Sequence, residues 1–169
     1  MLVMKLSEVA GVCICVPRHE RISLDVPCSK EEGIWDTLGY YDGKIVTICD
    51  KAIQKSLKKK FDKDVELREK LEKLSKSREE LILILRELVR LHEHSHAFLH
   101  TATVRKSKPS GKWYSNLPKE VNGPLTEFIT YSVINSLKDE AKKLFVTVFL
   151  EFDKYVPKPY RNWREIKKS

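Results

Sequence analysis

The chain has 169 residues, 41% of them hydrophobic and 33% charged, with a net charge of +8. That length suits one domain able to bury a core, and the composition excludes a disordered chain. The longest apolar run, residues 81–85, falls far short of the roughly 20 residues that cross a bilayer, so no membrane partner is expected.

The opening segment MLVMKLSEVAG has no sustained apolar stretch of the signal-peptide kind, so a cytoplasmic location is expected. The first fifty residues read as β structure: GVCICVP, RISLDVP, and KIVTICD after a Tyr-Tyr-Asp-Gly turn signal, punctuated by Pro17, Pro27 and Gly33. Cys13, Cys15, Cys28 and Cys49 all lie here. Their spacing is not that of a zinc site, and small buried hydrophobes are expected, with a disulfide as the lesser alternative.

From Val65 the pattern becomes helical. Leu67, Leu71 and Leu74 mark one helix at about 64–75, and Leu81, Leu85 and Leu88 a second at about 78–101. Ser75 and Ser77 separate them, and Ser77-x-x-Glu80 is a capping box that starts the second. Within it, LHEHSHAFLH at 91–100 holds four of the five histidines. His92 and His96 continue the leucine stripe and should point inward, and two buried imidazoles one turn apart are explained by a shared metal ion. His92-Glu93-x-x-His96 is the H-E-x-x-H pattern, in which the glutamate between the ligands works on water as general base. His94 lies on the opposite face, and His100 is two turns beyond His92, too far to share its ion.

After a loop-rich stretch, Gly123-Pro124 predicts a helix start with proline at the first position. Glu127 then heads an apolar stripe through Tyr131 and Ile134, where an acid is costly unless paired or bound to metal. A last helical pattern runs from Leu144 to Tyr155, followed by the tail PKPYRNWREIKKS. Lysine supplies most of the positive charge, but acids are interspersed (KFDKDVELREKLEK), as on a solvated helix. Only KSLKKK and the tail are lopsidedly basic, and Trp113-Tyr114 among lysines reads as local packing before a stacking platform for nucleic acid.

VRLHEHSHAFLH followed by Glu127 in GPLTEFITYS resembles the gluzincin-type zincin metallopeptidases, and the small size resembles the compact archaeal minigluzincins. The resemblance covers about residues 40–135. It implies an α+β fold, a single zincin-like domain over 1–169: a β-rich part at 1–50 with a mostly antiparallel sheet packed on the active-site helix, helices at 51–101, the glutamate helix and a C-terminal helix at 123–156, and a tail at 157–169. It implies zinc held by His92, His96 and Glu127, with Glu93 as general base in peptide hydrolysis. Glu120 is a weaker candidate for the third ligand, and His100 is too far along the helix to be one. Ile45, Val46, Thr47 and Ile48 would form the edge strand that pairs with an extended peptide. A transition-state donor is expected, Tyr131 or Tyr160, and the tail is a candidate cover for the cleft, since compact relatives can be latent. The alternatives are a non-catalytic or regulatory zincin-fold protein with a basic, nucleic-acid-associated surface, and a metal-stabilised structural domain. The sequence assigns no oligomeric state.

Overall fold

A computed structural model describes residues 2–10, 20–25, 28, 38–106, 119–156 and 158–166. In chain order these form helix α1 (Leu2–Ala10), strands β1 (Glu20–Ser23), β2 (Gly39–Tyr41) and β3 (Val46–Cys49), and helices α2 (Asp50–Lys63), α3 (Val65–Glu72), α4 (Arg78–Lys106), α5 (Lys119–Asn135), α6 (Asp139–Asp153), α7 (Lys158–Arg161) and α8 (Trp163–Ile166). The fold is α+β, as expected, with helix predominating. Among the described residues, no helix is long and apolar enough to cross a membrane.

The sheet is mixed rather than mostly antiparallel. β3 lies in the middle, parallel to β1 and antiparallel to β2. All four β3 residues are buried, which is why KIVTICD reads as an apolar run instead of an alternation. The expected turn at Tyr40–Gly43 is partly strand: Tyr40 and Tyr41 pair with Thr47 and Val46. The reversal follows one step later, where Asp42 accepts from the backbone N–H groups of Lys44 and Ile45 and Gly43 takes a φ of 94°, a conformation that favours glycine. Cys28 and Cys49 form a disulfide with Cα atoms 5.7 Å apart, so for this pair the buried-thiol expectation is corrected. Cys13, Cys15 and the segment GVCICVP lie outside the described residues, as does Trp113-Tyr114.

Residues 2–10 are helical, not β. Leu2 and Leu6, spaced one turn apart, are both buried, and α1 packs on α4 and α5. α3 and α4 are separate helices as read from the sequence. Ser75 has a φ of 53°, which ends the first. The capping box forms with Ser77 N–H donating to Glu80 Oε2 at 2.8 Å and Glu80 N–H donating to Ser77 Oγ at 3.1 Å. Leu81, Leu85 and Leu88 are all buried, each stabilising the fold by roughly 1.5–3 kcal/mol.

α5 departs from expectation. It is helical from Lys119, and Pro124 lies inside it. So close to the start of a helix, the missing proline N–H costs one bond and the chain continues. Gly123 is needed for a different reason: a Cβ there would sit 2.8 Å from the Tyr160 ring. The tail is anchored behind α5. Trp163 is buried, and its indole donates to Asp153 at the end of α6 at 3.1 Å. Arg164 pairs with the same carboxylate.

Candidate metal centre

The leucine stripe of α4 carries His92 and His96 inward, where their rings meet edge to face with centroids 4.8 Å apart. Their Nε2 atoms are 3.2 Å apart. A tetrahedral zinc with Zn–N bonds near 2.0–2.1 Å spans two nitrogens about 3.3–3.4 Å apart. The pair therefore has the spacing of two ligands to one ion.

The other side of each ring is fixed by a partner. His96 Nδ1 lies 3.1 Å from Thr126 Oγ1 and 3.3 Å from Asn122 Oδ1. The Thr126 hydroxyl donates to the Asn122 carbonyl at 3.0 Å, leaving its oxygen to accept. His96 Nδ1 is thus the donor, and its Nε2 presents a lone pair toward His92. His92 Nδ1 lies 3.3 Å from Glu127 Oε1. Burial, with repulsion from Asp153 and Glu93 outweighing attraction from Arg164, pushes Glu127 up to about 8.

Burial pushes His96 down to about 4. Burial and the adjoining His96 hold His92 well below the ordinary imidazole value. At neutral pH the imidazoles are uncharged and Glu127 keeps its proton. With His96 Nδ1–H donating to Thr126 and Asn122, His96 Nε2 is left to accept from His92 Nε2–H, and Glu127 Oε1 lies beside His92 Nδ1. A cation taking up both Nε2 atoms would require His92 to carry its proton on Nδ1 instead.

Two neutral imidazoles beside one carboxylate are a donor set that suits zinc. The third donor is close but turned. Among the described residues, no three His, Cys, Asp or Glu side chains converge on one point. Glu127 stands on the Nδ1 side of His92, so its ligation requires the side chain to swing around the ring edge. Glu120 is exposed.

Glu93 lines a cavity of about 590 Å³ together with His92, Glu127 and Thr130. Burial pushes its carboxyl up to about 8. The backbone of β2 presses on it: a Cβ at Gly39 would lie 2.9 Å from Glu93 Cγ and 2.7 Å from Val89 Cγ1. Gly39 thus allows the strand to reach the glutamate. Tyr160 comes to the site, its ring 6.4 Å from that of His92. Burial, then Glu93 and Glu127, raise its phenol above the ordinary value. Tyr131 does not join it; its ring packs 4.6 Å from Trp163 and 5.9 Å from Phe149.

The substrate-strand expectation is corrected. Val46, Thr47 and Ile48 belong to the central strand, and Ile45 leads into it; β1 and β2 pair with β3 on its two sides. No peptide can add to that strand. The strand beside the cavity is β2, whose Leu38–Gly39 end lines the wall.

His94 is buried with Nε2 3.0 Å from Glu20 Oε2, and Arg90 joins the same carboxylate at 2.8 Å. His100 Nδ1 meets the Tyr41 hydroxyl at 2.8 Å, and α4 continues past it to Lys106, so it is not a helix-end residue. Asn122, Thr126 and Gly39 were not singled out from the sequence. An Asn and a Thr one turn apart just before Glu127 were the available signal for the first two. No family model, curated protein or solved structure matches the chain.

Proposed function

We propose that the chain is a zinc-dependent peptidase of the gluzincin type, with His92, His96 and Glu127 as ligands and Glu93 as general base. The reading rests on the 3.2 Å approach of the two Nε2 atoms, with Glu93 in the same cavity. Zinc bound there supplies Lewis acidity toward a peptide carbonyl and lowers the pKa of water toward about 7. Glu93 takes the proton from the attacking water and returns it to the leaving amine, for which it must first be ionised, as the positive charge of a neighbouring ion favours. The Tyr160 phenol donates to the oxygen that becomes negative. Thr126 and Asn122 hold the His96 ring in the tautomer a ligand needs. An extended peptide runs along the Leu38–Gly39 end of β2, which lines the cavity.

The test compares zinc content and peptide hydrolysis in Glu93→Gln and Glu127→Ala. Glu93→Gln should keep zinc and lose about 10²–10⁴-fold in hydrolysis, whereas Glu127→Ala should lose zinc. Full hydrolysis by Glu93→Gln would overturn the mechanism. The non-catalytic alternative gives zinc binding with no Glu93-dependent hydrolysis.

A further inference from the structure

The wall of the cavity opposite the histidines comes from α2. Ser56, Lys59, Lys60 and Lys63 line it, at the three- and four-residue spacing that gathers side chains on one helix face. Between the two walls the lining is apolar: Leu85, Leu88 and Val89 from α4, Phe149 and Phe152 from α6. Leu85 is seven residues before His92, about 10 Å along the helix axis, so the apolar stretch leads away from the histidine pair for the length of about three extended residues.

Two of the lysines on this wall have no acidic partner among the described residues. Asp64 and Asp153 also line the cavity, but both are engaged. Asp64 caps α3 through the Leu67 N–H and accepts from Tyr155, and Asp153 holds Trp163 and Arg164. Lys60 is held in place, donating to Ser56 Oγ at 2.7 Å, with its ammonium 4.7 Å from the Tyr155 ring centroid. Lys59 and Lys63 are exposed, and among the described residues neither has an acidic partner.

We infer that this lysine wall selects the substrate: the cavity takes a short peptide segment that places an apolar side chain against Leu85, Leu88 and Phe149 and a carboxylate against Lys59 and Lys63. The carboxylate is either an acidic side chain or the free C-terminus of the peptide. This rests on the peptidase reading for the word substrate, but the binding preference can be measured without turnover.

The experiment uses the full chain with zinc, carrying Glu93→Gln so that peptides are not consumed. Fluorescence anisotropy follows three labelled peptides with one apolar core: one ending in a carboxylate, one amidated, and one amidated with a glutamate near its end. The carboxylate-bearing peptides should bind about five- to tenfold tighter than the amidated neutral one, as two partly screened ion pairs allow. Lys59→Glu/Lys63→Glu should bring that ratio to one or below, and raised salt should shrink it. Which of the two anionic peptides gains more identifies the source of the carboxylate. Equal binding of all three, or a ratio unmoved by the double substitution, overturns the inference. A carboxylate preference in binding, with no hydrolysis by the chain bearing Glu93, would keep the inference and overturn the peptidase reading.

Discussion

On α4, His92 and His96 face each other across 3.2 Å, and His92 borders a cavity. His94, on the opposite face, is tied to Glu20 of β1, and His100, one turn beyond His96, to Tyr41 of β2. All four lie within ten residues and on one helix, and helical periodicity alone sets His94 apart from the other three, since His100 follows His96 by one turn. What separates His100 from His92 and His96 is what the tertiary fold puts opposite. Facing the sheet, each imidazole meets an oxygen partner of its own. Facing α5, two imidazoles meet each other at the spacing of two ligands to one ion. Histidine thus ties the helix to the sheet at two positions and forms a candidate ligand pair at the other two.

The comparison breaks most sharply under alanine substitution. His92→Ala or His96→Ala should weaken zinc binding by more than about 100-fold, beyond the 10–100-fold typical of groups that only orient a ligand. His94→Ala should leave zinc affinity nearly unchanged and instead cost about 1–3 kcal/mol of stability, by removing a buried ring and its hydrogen bond to Glu20. Parallel chelator competition and thermal unfolding distinguish the two patterns. A loss of zinc in His94→Ala equal to that in His96→Ala would erase the distinction between the faces.

Thr126→Val sharpens the account of the ligand face. It removes the nearer acceptor on His96 Nδ1 while preserving side-chain volume, and should weaken zinc by about 10–100-fold. A smaller effect comes from protons. Glu127 is raised to about 8, so it is mostly protonated at pH 7 and must give up its proton to become a ligand, whereas the histidines, lowered and already neutral, release none. Calorimetry in buffers of different ionisation enthalpy should show about one proton released per zinc at pH 7, with a further contribution if Glu93 ionises in the field of the ion. Release should fall toward zero by pH 9, as zinc affinity rises through pH 8. Release confined to pH below 7 would assign the protons to histidine instead.

Much of this site could be read from the chain because helical periodicity is local. Leu81, Leu85 and Leu88 fix the inward face of α4, and His92 and His96 inherit it. Ser77 and Glu80 mark the start of that helix, and they bond as a capping box does. What failed depends on partners distant in sequence. Tyr40 and Tyr41 form a strand only because β3 is there to pair with them, and β3 sits in the centre of the sheet, so the strand expected to meet a peptide has both neighbours already. The Pro124 start rule gave way to a helix that begins upstream. That longer helix is what stacks Asn122 under Thr126, one turn apart, where both reach His96. Leu2 and Leu6 carried helical spacing, but a pair of residues is too short a signal to outweigh the strand-like segment after them.

One zinc ion is expected to join His92 and His96 through Nε2 and to leave His94 and His100 alone. Ring-nitrogen NMR of the chain labelled with ¹⁵N-histidine, titrated with one equivalent of zinc, tests it directly. The Nε2 resonances of His92 and His96, assigned by single substitution, should move together to the position of metal-bound nitrogen, while His94 and His100 keep their shifts. Movement of His94 or His100 in step with them, or no movement of the pair, would contradict it.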